Sequence, residues 1–600
     1  MCGIVGVVGK LNTKEILING LQKLEYRGYD SAGIYVNDGQ NGSLVKETGK
    51  IKDLEKIITD NISGEIGIGH TRWATHGKPT VENAHPQFSE DERFYLVHNG
   101  VITNYDELKS TYLSDVKFVS QTDTEVAVQL VSYFSKQGMN TTDAFKKMVS
   151  LVEGSFAFGL IDSQDADRIF VAKNKSPLLV GIGDGFNVIC SDAMAMIDQT
   201  NQFLELMDGE IVVLEKNVYH IFDKDNKEIS RNSYTVDLDP NDISKGTYPH
   251  YMLKEVDEQP AVMRKISEHY LSDGINVDAD LVKTVSESDR IYIVAAGTSY
   301  HAGLVGKEIL ENLTDIPVDV EVASEFGYHI PKLSKKPFFI FLTQSGETAD
   351  SRQVLVQVNE LELPSLTITN VKDSTLWRES TYQMELLAGP EIAVASTKAY
   401  TAQIAIQAVL AKVVGTLLNN EQALNLDLKE ELSLAANGMQ TIIDEKDMLK
   451  SLTHDFFENQ DHAFYIGRGV DYAVSIESAL KLKEISYIHT EGFAAGELKH
   501  GTISLIEEQT PVVAFINDPN TAEHTRGNIK EVQARGANVL VIANEKFAYS
   551  DDQIILSSIN ELLEPLISVV PAQLLAYYAS LERGNDVDQP RNLAKSVTVE

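Results

Sequence analysis

Two parts of this chain share one pattern. RIYIVAAG, ending at Gly297, and HAFYIGRG, ending at Gly469, are short apolar runs that stop at glycine and enter a helical pattern. FFIFLTQSGETAD is matched in the same way by PVVAFINDPNTAEH, and ASEFGYH (Ala323–His329) by AGELKHG (Ala495–Gly501), all at offsets of about 170 residues. A buried-strand run feeding a helix is the βαβ signature of a parallel sheet. Three matched segments at one offset imply two copies of a doubly wound α/β domain. The copies differ at the second pair, where only the first loop carries a cluster of hydroxyl residues.

The chain before the repeat has a different texture. IVGVV, AGIYV, EIGIGH and FYLVH are short β-type runs, and Ile16, Leu17, Gly20, Leu21 and Leu24 form one face of a helix starting near Thr13. This is the pattern of an α+β domain with αββα layers. SRNSYTVDLDPNDISKGTY, over Ser230–Tyr248, is polar and rich in turn residues and reads as a linker. The expected division is 1–238 for the first domain, 239–281 for the linker and a lead-in helix, 282–425 and 450–590 for the two α/β copies, and 591–600 for a tail.

Composition removes several function classes. With 88 acidic against 52 basic residues the formal charge is −36, and no basic footprint for a nucleic acid exists. A small anionic substrate is still compatible, since one helix N-terminus can hold a phosphate inside an acidic protein. Two cysteines, Cys2 and Cys190, exclude a disulfide framework, an all-cysteine zinc site and an iron–sulfur cluster, and they suit a reducing cytosol. Ile4–Val8 is too short for a signal peptide. Ile404–Leu418, interrupted by Gln407 and Lys412, is expected to fall short of a membrane span. A cytoplasmic protein is the expectation.

Four stretches invite chemistry, and each has a competing reading. TQSGET (Thr343–Thr348) follows a buried strand and opens a helix, so its backbone amides and hydroxyls suit a phosphate; a helix capping box would use the same residue types. The unequal loop in the other copy favours the phosphate. ESALKLKEISYIHTEGFAAGELKHG (Glu477–Gly501) brings Lys481, Glu484 and His500 together in sequence, suited to proton transfer on a sugar, although an isolated Lys–Glu pair three apart is usually a surface ion pair. Lys595 lies in a tail, where a lysine is ordinarily solvated. Cys2, freed by removal of Met1, would carry both a thiol and an α-amine of pKa about 7.7–8.0, nucleophile and base in one residue. By position alone it is a small apolar residue at the start of a strand. Other motifs fail. HGKPT has Arg72 where a Walker A loop needs its first glycine, and Pro79 after the lysine; GIGDGF is a hairpin turn. His70, His76, His85 and His98 lie on scattered runs without metal spacing, so no metal is implied.

The ordered strings CGIVGVVG, LEYRGYDSAG, GHTRWATHG, HNGVITNY, TDTE, KGTYPHYMLKE, AAGTSYHAG, TQSGETAD, ASTKAYT, ALKLKEISYIH, AAGELKHG and PRNLAKSVTVE resemble, over essentially the whole chain, the glutamine–fructose-6-phosphate aminotransferase (isomerizing) family. The resemblance implies an N-terminal-nucleophile glutaminase domain followed by two sugar isomerase (SIS) domains, without a cofactor. By it, Cys2 attacks the side-chain amide of L-glutamine, Arg72 pairs with the α-carboxylate and Asp123 with the α-ammonium. Thr75, His76 and Gly100 complete that pocket, Asn99 and the Gly100 N–H form the oxyanion hole, and Arg27 helps close the site. Ser299, Thr343, Gln344, Ser345 and Thr348 hold the phosphate of D-fructose 6-phosphate, and Val394 and Ala395 touch the sugar. Lys595 forms a Schiff base at C2, Glu484 carries the proton between C1 and C2 with Lys481 supporting it, and His500 opens the ring from the partner subunit of a homodimer. Trp73 gates a channel for ammonia.

The chain departs from the family pattern at Ala296, where cysteine is frequent, and at Thr343, where serine is; the threonine keeps the hydroxyl. It lacks the long insertion of eukaryotic members and resembles the bacterial form, so feedback by a nucleotide sugar is not expected. Rival readings fare worse. Asparagine synthetases need an SGGxDS-type loop and glutamate synthases need cluster cysteines, and both are missing. An SIS-domain sugar-phosphate sensor would want a basic DNA-binding helix pair, against the −36 charge.

Overall fold

The structure, a computed structural model, describes residues 2–10, 12–74, 77–236, 244–272 and 276–598. It divides into two units, Met1–Ser244 with Ala594–Glu600, and Lys245–Leu593.

In the first unit the β-type runs pair into two sheets, of eight and seven strands among the described residues. The strand Gly3–Val8 lies inside the larger sheet, antiparallel to both Asn187–Cys190 and Ile66–Arg72. Gly3 faces Thr71 and Ile4 faces His70 in that register, which brings Cys2 level with Arg72. The second sheet contains Phe94–Ile102, Gly154–Asp162 and Asp165–Asn174 as antiparallel neighbours. Between the sheets, Ile4, Ile66 and Ile68 of one pack with Val97, Ala157, Ile161 and Val171 of the other. Strands alternate their side chains, so each sheet has a second apolar face to cover. The helix Thr13–Leu24 covers one with Ile16, Leu17, Leu21 and Leu24. Asp123–Lys136 and Thr141–Val149 cover the other against Phe94, Leu96 and Phe158. The result is the αββα layering expected. GIGDGF joins Leu179–Ile182 to Asn187–Cys190 as an antiparallel hairpin.

The polar stretch from Ser230 is not linker throughout. Tyr234–Thr235 adds an edge strand to the larger sheet beside Gln202–Phe203, because its backbone completes a ladder that its polar side chains do not announce. The expected linker residues 237–243 lie outside the described residues.

The second unit contains the duplication. Arg290–Ala295, Val318–Val322, Pro337–Leu342, Ser365–Thr369 and Tyr382–Glu385 form one all-parallel sheet in the order 2-1-3-4-5. His462–Gly467, His489–Ala494, Pro511–Ile516, Asn538–Asn544 and Ile554–Leu556 repeat that order and direction. Each sheet's first strand runs into a helix, Gly297–Thr314 in one and Val470–Ser486 in the other, and these helices pack on each other. The lead-in helix Tyr251–Leu271 buries Met252, Val256, Met263 and Ile266 in the core common to both copies.

The last helix of each copy corrects the expectation for Ile404–Leu418. That stretch belongs to Lys398–Leu417, which is long and apolar enough to span a membrane by length and composition, and so is the equivalent region ending at Glu582. Both are mostly buried within this unit, where Gln407 donates to the Ala302 carbonyl. A core helix surrounded on all sides loses its polar face and mimics a membrane span in composition.

The copies diverge at the carboxyl ends of their strands, where open α/β sheets bind ligands. In the second copy this place is filled by its own side chains. Buried Asp471 accepts from the Asn517 backbone and side-chain amides at 2.8 and 2.7 Å. Buried Glu564 accepts from Asn544 Nδ2 at 2.5 Å and from the Ile559 amide at 3.1 Å.

Candidate active sites

Cys2 directly precedes the first strand, Gly3–Val8, half-buried, with its Sγ 3.3 Å from the Trp73 amide that donates to it and 3.5 Å from the Trp73 carbonyl. Burial pushes its thiol above the ordinary value, and the Trp73 amide and Arg72 guanidinium pull in the other direction. Asn99 reaches Cys2 from the facing sheet, its Nδ2 donating to the Cys2 carbonyl at 3.0 Å. Gly100 follows at φ +133°, and a Cβ there would lie 2.0 Å from the Ser155 carbonyl oxygen. Only glycine can carry the chain past Ser155 at that point.

Arg72 ends the strand beside Cys2 and is buried; burial draws its guanidinium pKa down, while Cys2, Asp123 and Asp30 act to raise it. Asp123 is the first residue of the helix Asp123–Lys136, and its carboxylate accepts from the Ile102 and Thr124 amides at 2.8 and 2.9 Å. Sequence reasoning passed over Asp30, which accepts from the Ala74 amide at 2.8 Å and tethers the turn after Trp73. Its position three residues after Arg27, in LEYRGYD, was the available signal. Arg27 is buried and committed elsewhere, its guanidinium 2.5 Å from Asp192 and donating to the Tyr26 hydroxyl at 3.1 Å. Its expected part in closing the pocket thus meets a side chain already ion-paired. Thr75 and His76 lie outside the described residues.

The histidines are not scattered. His70 and His85 pack with ring centroids 4.3 Å apart and planes tilted by 38°, and His70 Nε2 lies 3.0 Å from the His98 carbonyl. Among the described residues no group of three or more His, Cys, Asp or Glu side chains could hold a metal ion.

In the second unit TQSGET forms a tight loop after Pro337–Leu342. Thr343 Oγ1 accepts from the Gly346 amide at 3.1 Å and lies 3.2 Å from the Thr348 hydroxyl. Thr348 is the N-cap of the helix Ala349–Glu360, yet its side chain makes no capping bond, so the capping-box reading fails there. Glu347 instead accepts from the Thr375 amide and hydroxyl at 2.9 and 2.7 Å, pinning the loop to the next segment. Gly346 sits at φ +67°, and a Cβ would meet Ser374 Oγ at 1.9 Å. Gln344 and Ser345 are half-buried in the same loop. Ser299, in the first turn of Gly297–Thr314, accepts from Gln403 Nε2 at 2.9 Å. Val394 and Ala395 are buried, the Val394 amide donating to the Asp588 carbonyl at 3.0 Å.

Lys481 and Glu484 are not a surface pair. Lys481 is 1% exposed, its ammonium 2.7 Å from Glu484 and 3.5 Å from the fully buried Glu477. It donates to Thr298 Oγ1 at 3.0 Å, and that hydroxyl donates to Glu477 Oε1 at 3.1 Å. His301 Nδ1 closes the network on Glu477 Oε2 at 2.7 Å. Burial alone would lower the lysine pKa; Glu484 and Glu477 outweigh it and hold the ammonium above its ordinary value. Thr298, His301 and Glu477 escaped the sequence reading, although Glu477 is one helical turn before Lys481 on the same face. The network joins the start of a first-copy helix to the middle of a second-copy helix. Glu484, half-buried, is its outward end. His500 is exposed on the short turn Leu498–His500, and Lys595 is half-buried in the tail that groups with the first unit.

Known proteins give this geometry a family. The SIS domain family matches residues 284–413 and 456–583, the two copies of the repeat, and the Glutamine amidotransferase domain family matches residues 70–199. The chain is 59% identical over 606 residues to the glutamine–fructose-6-phosphate aminotransferase (isomerizing) of Lactiplantibacillus plantarum, covering 100% of both. It is 58% identical over 603 residues to that of Streptococcus pneumoniae serotype 4, again covering 100% of both. Among solved structures, the C-terminal domain of glucosamine-fructose-6-phosphate aminotransferase from Francisella tularensis is similar at 35% identity and a TM-score of 0.55, over 58% of this chain and 99% of that one. An N-terminal glutamine amidotransferase domain, two SIS domains and full-length identity of this order make the chain a member of the glutamine–fructose-6-phosphate aminotransferase (isomerizing) family.

Proposed function

We propose that this enzyme converts L-glutamine and D-fructose 6-phosphate to L-glutamate and D-glucosamine 6-phosphate, with the roles divided between its two kinds of domain. The observation that carries the reading furthest is the buried chain Thr298–Glu477–Lys481–Glu484, which presents one carboxylate beside a fixed ammonium. A surface ion pair has no need of such burial, whereas a base that moves a proton between two sugar carbons does.

In the glutamine half, the Cys2 thiol attacks the side-chain amide carbon, its proton passing to the α-amine exposed once Met1 is removed. Asn99 and the Gly100 N–H stabilise the oxyanion, commonly the dominant source of rate acceleration in acyl transfer. Collapse releases ammonia and leaves a glutamyl thioester, which water cleaves to glutamate. Arg72 takes the α-carboxylate and Asp123 the α-ammonium, with Thr75 and His76 completing the pocket, and Arg27 helps close it only by leaving its ion pair with Asp192. Trp73, bonded to Cys2 through its backbone, gates the exit of ammonia.

In the sugar half, Ser299, Thr343, Gln344, Ser345 and Thr348 hold the phosphate, and Val394 and Ala395 line the sugar. Lys595 forms the Schiff base at C2, ammonia replaces it, and Glu484 moves a proton from C1 to C2 with Lys481 holding its charge. His500 opens the ring from a second copy, and its exposed position suits a residue that serves a neighbour. A homodimer is therefore part of this reading. So is the cytosol, where the two free cysteines, Cys2 and Cys190, stay reduced.

An NMR assay of the purified protein with both substrates should show glucosamine 6-phosphate. Cys2→Ala should abolish glutamate release and leave isomerisation of fructose 6-phosphate to glucose 6-phosphate; loss of both activities would refute the separation of sites.

A further inference from the structure

We propose that His70 is a positioning residue for the oxyanion-binding amide of Asn99, holding its Nδ2 toward Cys2 from the opposite sheet. The inference rests on the glutaminase reading above. His70 is fully buried in the strand Ile66–Arg72, and its Nε2 lies 3.0 Å from both Asn99 Oδ1 and the His98 carbonyl. A carbonyl oxygen only accepts, so Nε2 must carry the proton. Asn99 must then turn its oxygen to His70 and its Nδ2 outward, as its bond to the Cys2 carbonyl at 3.0 Å independently requires. The two bonds fix one rotamer of an amide that, flipped, would aim a repelling oxygen at the developing oxyanion.

The ring is held for that single purpose. His85 packs against it with ring centroids 4.3 Å apart, and the His70 Nδ1 has no hydrogen-bond partner among the described residues. Burial and the nearby Arg72 guanidinium bring the His70 pKa down to about 3, so it stays neutral and keeps one N–H at working pH. A charged ring would add a competing cation beside the nucleophile. The arrangement is the usual logic of a preorganised oxyanion hole, whose donors must not reorient during reaction.

Glutamine hydrolysis in four variants of the full chain tests the assignment: His70→Leu, His70→Gln, Asn99→Ala, and His70→Leu with Asn99→Ala. Loss of an oxyanion donor costs about 10²–10³ in kcat, and misorienting one is expected to cost roughly 10–10². His70→Leu should therefore lower kcat by that factor with KM for glutamine changed less than about threefold. His70→Gln, which retains an N–H donor, should recover most of it. The double variant should be no slower than Asn99→Ala, because His70 acts only through that amide. Isomerisation of fructose 6-phosphate in the same preparations normalises for intact SIS domains, and circular dichroism and the KM for glutamine report whether the domain carrying His70 is folded. His70→Phe keeps the ring contact without the donor and repeats the test should the leucine variant not fold. Additive losses, a loss carried in KM, or a glutamine variant no better than leucine would overturn the assignment. Failure of the unaltered protein to release glutamate would instead refute the glutaminase reading.

Discussion

Replacing Glu564 by glutamine should change the pH dependence of stability in the second SIS domain. Glu564 is 2% exposed, and its Oε2 is buried without a hydrogen-bond partner among the described residues. Burial, with repulsion from Asp471 adding to it, pushes the carboxyl up from 4.5 to about 8. The folded protein thus keeps this proton up to about pH 8, while the unfolded chain releases it near 4.5. Between those values the folded state binds more protons, so stability falls as pH rises, and the loss is complete above about pH 8. At about 1.4 kcal/mol for each tenfold change in proton affinity, the whole effect is roughly 3–5 kcal/mol. Glutamine is neutral throughout, keeps the acceptor oxygen for Asn544 and the Ile559 amide, and has nearly the same shape. The variant should match the parent at about pH 5 and exceed it by roughly 3–5 kcal/mol at about pH 9. A chain of several domains does not unfold in one step, so the assay is hydrogen exchange of the helix Pro565–Glu582, read locally at each pH. Parent and variant showing the same pH dependence, after correction for intrinsic exchange, would refute the reasoning.

Other consequences are open to direct measurement. Gly346→Ala must place a Cβ against Ser374 at a backbone angle that costs a non-glycine residue about 1–3 kcal/mol, so KM for fructose 6-phosphate should rise about tenfold or more with glutamine hydrolysis unchanged. Gly100→Ala, clashing with the Ser155 carbonyl, should do the reverse: glutamate release falls at least about 10²-fold while sugar isomerisation persists. Lys595→Ala should remove borohydride trapping of the sugar on the protein; trapping that survives would acquit this lysine. Glu484→Gln and His500→Ala, each inactive in isomerisation alone, should regain activity when co-assembled, and no regain would separate His500 from any neighbouring copy's site.

The duplication was legible because each copy's strands are buried on both faces, leaving apolar runs that end at glycine. The layered first domain was legible from its short runs and from the helix face Ile16–Leu24. What escaped was decided by distant contacts. Thr348 could cap a helix or face a ligand, and only its neighbour Thr343 shows that its hydroxyl does not cap. Lys481 and Glu484 carry the spacing of a surface pair; Lys481 is buried and Glu484 half-buried because Val470–Ser486 packs between its own sheet and the helices Gly297–Thr314 and Pro565–Glu582. His70, His85 and His98 have no common period in sequence. His70 and His98 meet because two sheets face each other, and the loop before Gln87–Phe88 brings His85 beside His70, facts no local pattern records. Arg27 reads as available in its loop, and it is Asp192, far along the chain, that holds it. Family resemblance supplied the roles of the site residues, and the structure supplied Thr298, Glu477, His301 and Asp30 as their supports.

The two SIS copies began alike and have become unable to part. One keeps a hydroxyl loop suited to a ligand; the other has filled the ends of its own strands with Asp471 and Glu564 and sends Glu477 and Lys481 across to Thr298 and His301 of its twin. On the proposed division of roles, a lone first copy would be a receptor without a reaction, and a lone second copy a base with no substrate. Mutual loss of this kind acts as a ratchet, and it binds the pair into a single inherited unit more firmly than any strength of contact between them.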